Sequence, residues 1–193
     1  MRRAWLAVLA CCATTHAAEF SNLSVNYQNG VYQMHSEVLL DAPADEVLYV
    51  LTDYDHLTWI TGAVLKSQEL DKPDVNTTVF YMRIELCFAF FCQQVGQVLR
   101  SEEQREGDTV LLRATALPQY SDVEFSETTW QIRPAENGTR LIWKTRMKPK
   151  FWLPPIIGPA IVESELREHA HYTASGIEKL ANEWAIVHSK NKQ

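Results

Sequence analysis

Few residues in this chain have a type and spacing suited to chemistry: Cys87 and Cys92, His169 and His171, and the acids Asp53 and Glu124. The two cysteines bracket four apolar residues in "LCFAFFC". Neither has a paired histidine or a setting that lowers its pKa, so thiol catalysis is poorly supported. His169 and His171 stand two apart on an expected helix and diverge by about 200°, so they cannot share a metal. No other metal spacing occurs, and neither a metal nor a cofactor is expected. His169 falls beside an apolar helix face and could line a cavity; packing as a core histidine is the plainer account. Asp53 ends an expected helix, where capping the next turn competes with cavity contact. Glu124 alternates with Ser126, Thr128 and Trp130, which would place it on a buried face. The seven glycines form no phosphate-gripping loop, dinucleotide fingerprint or nucleophile elbow. No acid and base can be placed within reach of each other, so no catalytic residue is nominated.

The elements that must position these residues are mostly strands. Leu23 to Gln28 alternates, Asn29-Gly30 supplies two positive-φ residues for a tight turn, and Val31 to Leu40 returns. Pro43 starts a short amphipathic helix running to about Tyr54, with Val47, Val50, Leu51 and Tyr54 at helical spacing. Asp55 can cap a second short helix through Leu57, Trp59 and Ile60, ended by Gly62. Val64 to Leu70 reads as a strand and Asp71-Lys72-Pro73-Asp74 as a turn. Thr78 to Leu86, Gln93 to Ser101, Thr109 to Ala116, Asp122 to Arg133 and Thr139 to Lys148 follow as strands, the last two joined at Glu136-Asn137-Gly138. Their alternation gives an antiparallel sheet with one wet face. A long helix from about Ala160 to Val187 sets Leu166, Ala170, Thr173, Ile177, Leu180, Ala181 and Trp184 on one face. A curved antiparallel sheet must wrap such a helix to bury both apolar faces, and one helix need not fill the hollow.

The N-terminus bears on the compartment. "MRRAWLAVLACCATTHAA" has two arginines, an apolar run and a small-residue end, the order of a secretory signal, and the run is too short to span a bilayer. Residues 1–18 are therefore expected to be a signal peptide and residues 19–193 a single exported domain, periplasmic in a Gram-negative envelope. Val8-Leu9-Ala10-Cys11 loosely resembles a lipoprotein cleavage box, and lipoprotein anchoring ranks second. Removing Arg2 and Arg3 leaves 16 basic against 24 acidic residues, a net charge of −8. That balance argues against nucleic acid and offers no polybasic handle for anionic membranes. Cys87 and Cys92 are then the mature chain's only cysteines, and an exported protein usually pairs them. Five apart on one strand they would face opposite ways; flanking a four-residue hairpin turn, Phe88 to Phe91, they would meet. Two buried free thiols in a core strand remain the alternative. Asn22, Asn76 and Asn137 head glycosylation triplets, meaningful only in a host that uses them.

The order of elements, with "DAPADEVLYVLTDYDHLTWITGAV" and "ELREHAHYTASGIEKLANEW", resembles the START-like, or helix-grip, superfamily from about Leu23 to Trp184. Within it, the polyketide cyclase and coenzyme Q-binding branch looks nearest. Members often carry a proline shortly after the tryptophan that stands here as Trp59; Ile60-Thr61-Gly62 takes its place. The resemblance implies an α+β, helix-grip fold: a curved antiparallel β-sheet wrapped around a long C-terminal α-helix, with two short helices after the first hairpin. It also implies a hydrophobic cavity between sheet and helix, entered near the loops. Inward positions that would line it are Met82, Ile84, Leu112, Trp130, Trp143 and Met147 on the strands. His169, Thr173 and Ile177 would do so from the helix, and Trp152 from the segment before it. Phe88, Phe90, Phe91, Phe151 and Trp152 lie in apolar connections that call for an explanation. They could form a lid or portal, dip into a bilayer, or be core after all. The expected partner is a hydrophobic small molecule or lipid, with transient membrane contact, no nucleic acid and a monomeric protein. A carrier or chaperone of a lipid- or isoprenoid/quinone-like ligand is the first expectation. The second is a cyclase- or hydrolase-like enzyme using Asp53 or Glu124 with His169, since one scaffold hosts many activities. A third is an interaction protein whose apolar loops meet a membrane protein.

Overall fold

The computed structural model describes residues 18–88, 91–150 and 158–191. Strands β1 (Glu19–Gln28) and β2 (Val31–Leu40) form a hairpin. Asn29 and Gly30 close it with φ of 53° and 82°, the left-handed pair a tight hairpin turn requires. Helix α1 (Ala44–Thr52) follows, with Pro43 at its N-cap and Val47, Leu48, Val50 and Leu51 buried. A 3₁₀ turn at Leu57–Trp59 leads to six further strands: β3 (Val64–Asp74), β4 (Thr77–Phe88), β5 (Phe91–Glu106), β6 (Thr109–Ala116), β7 (Val123–Ala135) and β8 (Gly138–Pro149). Helix α2 (Gly158–Asn191) ends the described chain. Among the described residues no helix is long and apolar enough to cross a membrane.

The eight strands make one curved antiparallel sheet in the order β1-β2-β8-β7-β6-β5-β4-β3. Helix α2 packs against β1, β2, β4 and α1, so the sheet grips it. Along α2, Val162, then Ala170, then Ala174, Ile177 and Ala181 enter three successive core clusters. Small alanines let the helix approach closely where it touches the core.

Several expected boundaries shift, each for a physical reason. The second short helix stops at Trp59, before Gly62, and has no side-chain cap. Asp55 instead accepts a hydrogen bond from the Glu69 backbone N–H at 2.9 Å. Strand β3 runs through the expected turn at residues 71–74, and the reversal falls at Val75 and Asn76. An edge strand tolerates Pro73 because one of its sides needs no N–H donor. In β7 the register slips between Val123 and Phe125 against Pro149 and Lys148 of β8. That bulge inserts one extra residue and reverses the alternation upstream of Ser126. Glu124 therefore points outward, half exposed, and pairs with Lys148.

The cysteine hairpin is tighter than the expected four-residue turn. Cys87 pairs across the ladder with Cys92, and Phe88 with Phe91, leaving only Ala89 and Phe90, outside the described residues, between the strands. A cross-strand pair brings two side chains to the same face, and Cys87 and Cys92 are bonded as a disulfide. Closing so short a loop constrains the unfolded chain by about 2 kcal/mol. Chemical denaturation with and without reductant should show a stability loss near that size. Identical curves would mean the bond contributes nothing.

Candidate functional site

Between the sheet and α2 lies a cavity of about 210 Å³. Its walls come from alternate residues of the sheet's inner face, so strand periodicity marks the side chains that line it. Met82 and Ile84 of β4, Leu112 of β6, Trp130 of β7, and Trp143 and Met147 of β8 all line it. Helix α2 contributes Leu166, His169 and Thr173, three residues on one stripe. Trp130 and Trp143 face each other in the β7–β8 register and stack with centroids 4.3 Å apart. At the α1 end, Tyr54 stacks on Phe80 at 4.4 Å, and both line the space.

The remaining expected positions fall elsewhere. Ile177 is fully buried in the same core cluster as Val47, Leu51 and Ile60, and is absent from the lining. One helical turn past Thr173, the α2 stripe leaves the hollow and meets α1 and the 3₁₀ turn. Trp152, Phe151 and Phe90 lie outside the described residues; of Phe88 and Phe91 only the backbone is described, as the paired ends of β4 and β5. Lining residues missed in the sequence include Met34, Tyr54, Gln97, Ser101 and Ser126. Gln97 could have been found, because Val95, Gln97, Leu99 and Ser101 alternate on one face of β5.

Polar groups in the wall mostly satisfy one another. The Tyr54 hydroxyl donates to Ser101 Oγ at 2.8 Å. Thr128 and Thr145 hydroxyls share a hydrogen bond of 3.1 Å, and the Trp143 indole N–H donates to Thr145 Oγ1 at 2.8 Å. Burial pushes the Tyr54 phenol above its ordinary pKa, against the lowering effect of the Ser101 bond, so it stays protonated at neutral pH. Among the described residues the lining holds no Asp, Glu, Lys or Arg, and His169 is its one imidazole. The Glu165 carboxylate stands 3.9 Å from His169. Asp53 binds His56 Nδ1 at 2.8 Å instead of facing the cavity, and Glu124 faces outward. The acids expected to work with His169 are therefore not brought to it. His171 meets the Phe20 ring at a tilt, with centroids 4.4 Å apart, and is not part of the cavity lining.

The cluster of Glu85 with Cys87 and Cys92 brings three ligand-type atoms within 4.8 Å of one another. Both sulfurs are consumed in the disulfide, which removes the thiolates a metal would need. The cavity's chemistry is thus that of a mainly apolar container with a few neutral polar groups.

Solved structures with the same architecture include carriers and cyclases. A STAR-related lipid transfer protein from Xanthomonas axonopodis (fragment 25–204) aligns with a TM-score of 0.58 and 18% identity, over 80% of this chain and 98% of that one. Human STARD10 aligns with a TM-score of 0.67 and 14% identity, over 87% of this chain and 76% of that one. The Zhui aromatase/cyclase from Streptomyces sp. R1128 aligns with a TM-score of 0.62 and 15% identity, over 79% and 94%. At these identities the likeness establishes the fold alone. No curated protein matches in sequence. Residues 32–182, from the β2 strand through most of α2, match a family described as polyketide cyclase / dehydrase and lipid transport. With the helix-grip architecture and its enclosed hollow, that match places this chain in the polyketide cyclase / dehydrase and lipid transport family, within the START-like superfamily.

Proposed function

We propose that this protein is an exported carrier or chaperone that holds one lipid- or isoprenoid/quinone-like molecule between its sheet and α2. The observation that carries this reading is a cavity whose wall is mainly apolar, with no Asp, Glu, Lys or Arg among its described residues. Apolar burial at about 25 cal/mol per Å² supplies affinity without any reacting group. At about 210 Å³ the space is below the roughly 300–1,000 Å³ of drug-sized ligand pockets, which favours a single tail over a two-tailed lipid. The lipid transfer protein among the structural relatives fits this role. Residues 1–18 would be cleaved as a secretory signal, and residues 19–193 would act in the periplasm as one monomeric domain. Organic extraction of the protein isolated from its own host should release one apolar molecule per chain, identified by mass spectrometry. Protein that is stoichiometrically empty would remove the carrier reading. N-terminal sequencing of the same sample should begin at Ala18 or Glu19.

The second reading is an enzyme of the cyclase or hydrolase kind, favoured by His169 in the wall and by the cyclase among the relatives. It requires His169 to act without a carboxylic acid beside it in the lining. Conversion of the extracted molecule on incubation, abolished by His169→Ala, would establish it.

Loading would occur at the apolar connections. Phe90, and the run from Phe151 to Ile157, lie outside the described residues, yet their composition suits a membrane surface. Phe90→Ser with Trp152→Ser should slow ligand uptake from neutral vesicles about tenfold or more, since two aromatic rings leave the interface. Unchanged uptake would rule out a portal there.

A further inference from the structure

We propose that the cavity selects a neutral, single-tailed molecule bearing a hydroxyl group, and that Gln97 receives that hydroxyl. This inference rests on the carrier reading and names the chemistry of its ligand. Gln97 sits on β5 opposite Met82, with Val95 and Leu99 on the same inward face. It lines the cavity and is 3% exposed, and its carboxamide oxygen has no hydrogen-bond partner among the described residues. Of the lining side chains, Gln97 alone carries a fully buried polar atom without a partner among the described residues. Tyr54 is engaged with Ser101, and Thr128, Trp143 and Thr145 form one connected set.

A buried amide oxygen without a donor is destabilising, and strand packing gives it no protein partner. A ligand O–H entering the cavity would supply the missing donor, whereas an alkane would not. An anionic head has a different difficulty. Losing water is costly for a carboxylate or phosphate unless a cation is present, and the described lining offers none. Protonated His169 would be the one candidate, and Glu165 stands 3.9 Å from it as a competing anion. Size completes the argument: about 210 Å³ suits one tail with a small polar end.

Three lining methionines, Met34, Met82 and Met147, report occupancy directly. With isotope-labelled methionine methyls, octane, octanol and octanoate are titrated into the protein by NMR. Octanol should bind about tenfold more tightly than octane, the effect of one restored hydrogen bond. Octanoate should be weaker than octanol. In Gln97→Met, which keeps the length and removes the amide, the octanol-to-octane affinity ratio should fall to about one. Should that variant fail to fold, the wild-type series alone decides. Octanol no tighter than octane, a preference that survives Gln97→Met, or octanoate as the tightest probe would overturn the assignment of Gln97 while leaving a carrier. Failure of every probe to move the three methionine signals would overturn the carrier reading, and this inference with it.

Discussion

Replacing Gly176 with alanine should lower stability by about 3 kcal/mol, a fall in Tm of roughly 6–12 °C for a domain of this size. Helix propensity alone predicts the opposite sign, because alanine in a helix interior is favoured over glycine by about 1 kcal/mol. Packing decides the outcome. A Cβ at this position would lie 1.8 Å from the Ile60 carbonyl oxygen and 2.8 Å from its carbon. Both are backbone atoms, which cannot rotate aside as a flexible side chain could. The contact joins α2 to the segment after the 3₁₀ turn, where Ile60 and Thr61 line the cavity. The same substitution should therefore pry that segment away and speed ligand exchange. Calorimetry of wild type and Gly176→Ala checks the stability; a variant as stable as wild type would mean that α2 does not press on Ile60.

Filling the hollow should have the largest effect on binding. Ala114 of β6 lines the cavity and is 8% exposed. A phenylalanine there would project into empty space and displace roughly three or four methylenes of any bound tail. At about 0.8 kcal/mol for each methylene, affinity should drop by about a hundredfold or more. Stability should not follow. Burial of the new ring contributes about 1.5–3 kcal/mol and offsets a similar overpacking cost. Ala114→Phe is thus expected to fold with near-normal denaturation and yet to leave its host without bound lipid. Normal lipid content in that variant would place the guest outside this cavity.

Much of the architecture was legible in the chain because period and turn chemistry are local properties. The alternation of Leu141, Trp143, Thr145 and Met147 announced which face of β8 looks inward, and Trp143, Thr145 and Met147 do line the cavity. Asn29-Gly30 declared its turn through the one geometry that both residues tolerate. Cys87 and Cys92 do stand across from each other, as expected if an exported chain pairs its two cysteines; their spacing alone also allowed two free thiols on one strand. The errors arose where alternation or helical spacing was extended past a local irregularity. A bulge at Val123–Phe125 turned Glu124 outward, and the closing of α1 beneath α2 took Ile177 into the core. Neither event leaves a mark in the residues themselves.

By itself, the order of residues determined most of the strands, the Asn29-Gly30 and Asn137-Gly138 turns and the apolar inner face, since each depends on neighbours within a few positions. Only tertiary structure decided that the face encloses a void, that Gln97 stands in its wall without a partner, and that Gly176 must have no side chain. Those facts depend on the distance between α2 and a sheet assembled from distant segments. No local pattern encodes such a distance, because it results from how all the packed surfaces settle together.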